Sequence, residues 1–206
     1  NVDDVRLGVA LVLATTGSAL AGSLFGSRGA GIREADADAY TLGAFWGGST
    51  ALLSISLLDS YPTEVYQTAA LLGVVGGAFG SFYLSRATHA TQGQVGFIGN
   101  TMTLGSLTSL LASPFLINAD QSFDEYTSIQ LASLQVGTGL GIWLAQDLDW
   151  SAARSRLTLL GSGVGGLLGW GTAALITGGG GDIEDDTLAQ VWSGAALAGL
   201  WTGYGL

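Results

Sequence analysis

A glycine pattern is the first feature of this sequence that could support chemistry. Gly161, Gly163 and Gly166 form a GxGxxG motif, which cradles a dinucleotide pyrophosphate when it joins a strand to a helix. In a chain with 34 glycines among 206 residues, about one such match is expected by chance. The motif also extends a row of small residues spaced four apart, as in a packed membrane helix. We therefore predict helix packing here and no bound cofactor.

Side chains that could act in catalysis or bind a metal are scarce. The chain has no Cys and no Lys, which excludes a thiol nucleophile, a Schiff-base lysine and a P-loop lysine. The single histidine, His89, lies near Ser85, but no GxSxG elbow accompanies them. One histidine cannot supply a histidine metal cluster. We predict no catalytic residue, no metal site and no enzyme activity.

Neutral polar residues within apolar stretches are the remaining candidates. Asn100, Gln130 and Gln135 lie in such stretches, where side chains form hydrogen bonds between helices worth about 0.6 kcal/mol each. The alternative is that these three residues line a channel or carrier for a small neutral solute. Proton relays, ion-coupled transport and voltage sensing place ionisable groups inside the membrane, and the apolar stretches contain none.

The composition indicates which environment holds these residues. Apolar residues make up 48% of the chain and charged residues 11%, whereas a soluble domain carries about 25% charged residues. The net charge is −10, and the six basic residues are all scattered arginines, so a nucleic-acid surface is excluded. We predict an integral membrane protein that has the lipid bilayer as a partner.

Uncharged runs divide the chain into seven candidate membrane spans. A helix that crosses a hydrocarbon core of ~30 Å needs roughly 20 residues, and every run reaches that length. The predicted fold is therefore an all-α bundle of about seven membrane helices in a single domain, residues 1–206. The runs cover residues 7–27, 39–58, 65–85, 87–119, 126–146, 157–181 and 187–206.

The distribution of charge predicts an orientation for these spans. If the runs cross the membrane in alternation, one face carries Arg6 and eleven acidic residues, while the other carries five arginines and five acidic residues. Arginine is enriched on the inner side of membranes. The N-terminus is therefore predicted to lie outside and the C-terminus inside.

An internal repeat relates the runs to one another. Gly22, Gly80, Gly141 and Gly199 occupy matching places in the odd-numbered runs, separated by 58, 61 and 58 residues. A period of about 59 residues corresponds to a repeated unit of two helices. The predicted repeats cover approximately residues 1–58, 59–118 and 119–181, with a final half-repeat at 182–206.

Small residues recur at every fourth position within the runs, a spacing that lets two helix backbones approach closely in a membrane. A transmembrane β-barrel is the alternative fold, because Gly137, Gly139 and Gly141 also alternate with a period of two. Continuous apolar stretches such as Leu71 to Val75 do not fit the alternation of barrel strands. The predicted packing residues are Gly43, Gly47, Gly73, Gly77, Gly80, Gly137, Gly141, Gly161, Gly165 and Gly169.

These features together predict a function without chemistry of its own. We expect a non-enzymatic membrane scaffold or assembly subunit, which binds protein partners or a second copy of itself through the small-residue ridges. The alternative function is the channel or carrier for a small neutral solute.

Overall fold

Six α-helices form nearly all of the chain that the computed structural model describes, which comprises residues 31–58, 61–116, 123–177 and 185–205. Within these ranges there is no β-strand, so the predicted all-α class is confirmed and the β-barrel alternative is wrong. The first predicted span, residues 7–27, lies outside the described residues. The helices are α1 Glu34–Ser56, α2 Thr63–Thr88, α3 Gln92–Leu116, α4 Phe123–Ala145, α5 Ala152–Ile176 and α6 Asp185–Gly205.

The lengths of the helices match the thickness of a membrane. They contain 21 to 26 residues, which at 1.5 Å per residue is roughly 30–40 Å and equals or exceeds the hydrocarbon core. Three of them, α2, α3 and α5, are long and apolar enough to cross a membrane. These three helices agree with an integral membrane protein.

Short polar motifs set where helices begin and end. At the start of α3, the N–H of Gln94 donates to Oγ1 of Thr91 at 3.2 Å, and the N–H of Thr91 donates to Oε1 of Gln94 at 2.9 Å, which forms a capping box. After α2, His89 adopts a left-handed conformation with φ of 54°. This turn lets the N–H of Ala90 donate to the carbonyl of Ser85 at 3.1 Å, a common way to end a helix.

Pro114 lies inside α3 without ending it. Proline has no N–H, so the carbonyl of Leu110 loses its usual helical donor. The hydroxyl of Ser113 donates to that carbonyl at 2.7 Å. Within a membrane, serine side chains commonly satisfy backbone groups that proline leaves free.

Burial in α5 follows side-chain size. In α5 the buried residues are Ser155, Ser162 and Ala173, whereas Leu167 and Leu175 are 70% and 85% exposed. A helix of a water-soluble bundle buries its large apolar side chains. Placing small residues inside and large apolar residues outside suits a lipid environment, where close packing replaces the hydrophobic effect between helices.

The chain divides into two compact units with a boundary between Val95 and Gly96. The first unit contains α1, α2 and the start of α3, where Val95 packs with Ala35 and Ala39. The second unit contains the rest of α3 together with α4, α5 and α6.

Candidate functional site: helix seams and buried polar contacts

Glycines bring α1 and α2 into backbone contact along a line that we term the α1/α2 seam, made of Gly43, Gly47, Gly73 and Gly77. A Cβ on Gly43 would overlap the carbonyl oxygen of Gly77, and a Cβ on Gly77 would overlap that of Gly43. Gly47 and Gly73 are related in the same way. The pairing order makes the two helices antiparallel. No side chain beyond hydrogen fits at these positions unless a backbone moves.

A second line of contact, the α5/α6 seam, joins the last two helices. A Cβ on Gly165 would overlap the carbonyl oxygen of Gly199, and Gly161 has the same relation to Gly203. The sequence did predict the three α5 glycines as packing residues but not their partners. Those partners lie four residues apart on α6, so the same spacing rule identifies them. The seam consists of Gly161, Gly165 and Gly169 on α5 and Ala195, Gly199 and Gly203 on α6.

The α3/α4 seam combines glycine with hydroxyl residues. A Cβ on Gly105 would lie 2.8 Å from the carbonyl oxygen of Ser133, and a Cβ on Gly137 would lie 2.6 Å from that of Thr101. A Cβ on Gly141 would overlap the hydroxyl oxygen of Thr101. Three helix pairs therefore approach each other closely through small residues.

Other glycines in the same helices face open space. Among the described residues, a Cβ on Gly76 or Gly80 of α2, Gly139 of α4 or Gly163 of α5 would meet no atom within 4 Å. Gly80 belongs to the predicted packing set, and no described residue lies against it. The remaining nine glycines of that set lie in the three seams. Adjacent glycines such as Gly76 and Gly77 therefore occupy opposite environments on one helix.

Asn100, the first of the predicted polar residues, joins two helices of the second unit. Its side chain is 4% exposed, and Nδ2 donates to the carbonyl of Ser155 at 2.8 Å. This contact links α3 to the first turn of α5. Gly96, one turn earlier on α3, lies against the side chain of Ser155 as well.

Gln130 joins α4 to α3 at a different level. Its Oε1 accepts from the hydroxyl of Ser109 at 2.7 Å, and its Nε2 donates to the carbonyl of Ser106 at 3.3 Å. Ser109 lies nine residues beyond Asn100 on α3, roughly 14 Å along the helix axis. Gln135 is also engaged, and five residues place it about 140° around α4 from Gln130. The three predicted polar side chains are thus not gathered along one line.

Beside each seam, a hydrogen bond joins a side chain on or directly after one of the two helices to a side chain of the other. Ser109 and Gln130 supply it for the α3/α4 seam. For the α5/α6 seam, Nε1 of Trp192 donates to Oγ1 of Thr177, directly after α5, at 3.0 Å. For the α1/α2 seam, the hydroxyl of Ser85 donates to Oδ1 of Asp36 at 3.0 Å. We refer to these three contacts as the seam hydrogen bonds.

The contact at Asp36 is part of a larger group, the Asp36 cluster (Arg33, Asp36 and Ser85). Asp36 is 0% exposed and also accepts from Nη2 of Arg33 at 2.6 Å, from Nε at 3.2 Å and from the backbone N–H at 3.3 Å. Nη2 of Arg33 donates in addition to the carbonyl of Ser85 at 3.1 Å. The cluster therefore ties the start of α1 to the end of α2.

Ionisation of this cluster follows from its hydrogen bonds. The hydrogen bonds from Arg33 lower the pKa of the Asp36 carboxyl below its ordinary value, whereas burial acts to raise this pKa. The hydrogen bond from the Ser85 hydroxyl lowers the pKa further. The same pairing raises the pKa of Arg33. The sequence did not single out Asp36. Its position in α1 could have indicated it. Asp36 precedes Gly43 by seven residues and Gly47 by eleven, which places all three on one helix face.

The remaining sequence candidates, the GxGxxG motif and His89, form part of a helix or of its end. The GxGxxG motif at Gly161–Gly166 lies in the interior of α5, where it has no strand before it and its amides belong to the helix. His89 is exposed and ends α2. In the ranges that the structure describes, no three His, Cys, Asp or Glu side chains come together as metal ligands.

Comparison of the chain with known proteins found no match. No model of a known protein family matches the chain. No curated protein and no solved structure matches it either. The seams, the buried polar contacts and the exposed apolar faces are therefore the features that bear on function.

Proposed function

We propose that this protein is a non-enzymatic integral membrane scaffold or assembly subunit. The observation that carries the proposal is the placement of side chains by size on α5: serine and alanine are its buried residues, and its large apolar side chains point outward. On α5 the outward residues are Leu157, Leu160, Val164, Leu167, Leu168, Leu175 and Ile176, each more than half exposed. Water would disfavour such a surface, whereas lipid accommodates it.

The polar contacts support a packing role over a chemical one. The side-chain amide groups of Asn100 and Gln130 form hydrogen bonds between helices. Asp36 is paired with Arg33 and closed off from solvent. A solute pathway needs polar groups that are free to exchange hydrogen bonds with the passing solute. These side chains already have partners, which favours the scaffold over the channel.

The proposed arrangement has seven spans, with the N-terminus outside and the C-terminus inside. The antiparallel pairing across each seam supports alternation of direction along the chain. Five of the six arginines then lie on the inner face and eleven of the sixteen acidic residues on the outer face, as the positive-inside rule requires. Residues 7–27 supply the first span in this proposal.

As an assembly subunit, the protein would present its outward glycines to neighbouring helices. Gly76 and Gly80 are spaced four apart on the exposed side of α2, the spacing that favours close approach of a further helix. Electrophoresis of native membrane complexes tests this role. We expect the protein to migrate in an assembly larger than one chain, and Gly80→Leu to shrink that assembly without altering the helical spectrum. Migration as a single chain in native membranes would contradict the assembly role.

Solute flux into liposomes separates the scaffold from the channel alternative. Purified protein reconstituted into liposomes is expected to give the same rates of water, glycerol and urea movement as protein-free liposomes. Rates that rise with protein and are abolished by Asn100→Leu or Gln130→Leu, while the helical spectrum is retained, would support the channel instead. The matched control is Leu167→Ala, which changes a lipid-facing side chain.

A further inference from the structure

The Asp36 cluster differs from the other seam hydrogen bonds in one chemical respect. Ser109 with Gln130 and Thr177 with Trp192 contain no group that changes charge between pH 2 and pH 8. Asp36 is a carboxylate without exposure to solvent, and it accepts four hydrogen bonds from two residues. Among the seam hydrogen bonds of the described residues, the one beside the α1/α2 seam is therefore the one that a proton can break.

We propose that the Asp36 cluster is an acid-sensitive latch, in which the ionised carboxylate holds the start of α1 against the end of α2 and protonation releases that end of the hairpin. A proton from solvent binds a carboxylate oxygen and removes the negative charge that Arg33 faces. The new O–H is a donor, so that oxygen no longer accepts the N–H groups of Arg33. Arg33 is 41% exposed and can turn its guanidinium to water.

Other charged groups nearby do not replace the carboxylate. On α1, Glu34 is exposed and Asp38 accepts from Nε2 of Gln92 at 2.9 Å. On α2, Arg86 stands 5.7 Å from the ring of Phe82, and His89 is the exposed end of the helix. The start of α3, which packs on α1 through Val95, carries no titratable side chain between residues 91 and 95. Within the part of the chain that the structure describes, Arg33 is the charged group that acts on Asp36.

The rest of the hairpin should remain closed when the latch opens. Gly43, Gly47, Gly73 and Gly77 meet through backbone atoms, and these contacts do not depend on pH. Because the pKa of Asp36 is lowered, the latch stays closed above the ordinary pKa of an aspartate, about 3.9. It opens as the pH falls through the lower value of the folded protein.

Distance measurement by pulsed electron spin resonance tests the latch in the full chain in lipid nanodiscs. The chain has no native Cys, so spin labels on Ala37→Cys and Ala87→Cys, both exposed in the structure, report the separation of the start of α1 from the end of α2. Samples between pH 8 and pH 2.5 are compared in four backgrounds: the unchanged chain, Glu34→Gln, Asp36→Asn and Ser85→Ala. Glu34→Gln is the matched control, since it removes an exposed carboxylate from the same helical turn.

The expected result is a single narrow distance at pH 7 in the unchanged chain and in Glu34→Gln. Below about pH 4 a longer, broader population should grow by up to tenfold per pH unit, as for release by one proton. Asp36→Asn should show the broad population at pH 7 and lose the pH dependence. If Asp36→Asn does not fold, Ser85→Ala, which leaves the pair with Arg33 intact, should still broaden the distance at pH 7.

Two results would overturn the latch. One is a distance in the unchanged chain that stays narrow down to pH 2.5. The other is an acid transition in Asp36→Asn that matches the transition of the unchanged chain, because other carboxylates would then cause it. Where Asp36→Asn does not fold, a matching transition in Ser85→Ala has the same meaning. Either result leaves the scaffold proposal standing, since that proposal depends on membrane insertion and assembly.

Discussion

The carbonyl oxygen of Gly77 occupies the space that a Cβ on Gly43 would need. Two backbones therefore touch where most helix pairs interpose side chains. Contact at this distance supplies dispersion energy and weak Cα–H hydrogen bonds, each small and together considerable. It also makes the seam intolerant of added volume, which gives a direct way to test which glycines pack.

Alanine at two adjacent glycines of α2 should have opposite effects. We expect Gly77→Ala to destabilise the protein by about 1–3 kcal/mol, since the new methyl group must displace the backbone of α1. Gly76→Ala, whose Cβ enters open space, should be neutral or stabilise the helix by up to about 1 kcal/mol. Unfolding by SDS, followed by far-UV circular dichroism, measures both. Equal effects at the two positions would show that the seam is not where the structure places it.

The α5/α6 seam should respond to substitution from either side. Gly165→Ala and Gly199→Ala each insert a methyl group against the backbone of the other helix, so each should destabilise by about 1–3 kcal/mol. Both changes push the same two helices apart, and the double variant should cost less than the sum. The control is Gly163→Ala, which has space around it. Strict additivity in the unfolding free energies would argue that the two glycines do not share a contact.

The hydroxyl of Ser113 should matter because proline follows it. With Pro114 present, Ser113→Ala leaves the carbonyl of Leu110 without its donor and should cost about 1 kcal/mol. In a Pro114→Ala background the backbone N–H returns, and Ser113→Ala should cost markedly less. A double-mutant cycle of unfolding free energies measures this coupling. A coupling energy of zero would mean that the hydroxyl does not substitute for the missing N–H.

Stability should depend on pH through Asp36 with a defined sign. The folded protein lowers the pKa of this carboxyl, so the unfolded state binds the proton more readily. The stabilisation is fully present above the ordinary pKa of aspartate, about 3.9, and is lost as the pH falls through the lower folded value. Asp36→Asn should therefore reduce the unfolding free energy more at pH 7 than at pH 3. A deficit that is the same at both pH values would rule out this linkage.

The helices were predictable because apolar run length and charge placement are local properties of the sequence. The uncharged run at residues 65–85 lies within α2, and the run at 126–146 coincides with α4 to within three residues. Seam membership was harder to predict. Gly73/Gly77 and Gly76/Gly80 have the same spacing, and the position of α1 decides which pair meets a neighbouring backbone. The Asp36 cluster likewise depends on a partner 49 residues away, and local sequence does not specify that partner.

The proposal of an integral membrane protein is tested most directly by the reactivity of single cysteines in native membranes. Because the chain has no native Cys, each of three variants carries a single thiol. Two of them, Leu167→Cys and Leu175→Cys, place it on the exposed side of α5, and the third, Asp149→Cys, places it in the exposed loop before that helix. Permeabilised membranes are treated with a water-soluble maleimide. Asp149→Cys should react readily, and Leu167→Cys at least about tenfold more slowly until the membrane is dissolved, because a thiol in lipid does not ionise. Equally fast labelling at all three positions would contradict membrane insertion of α5 and with it the proposed function.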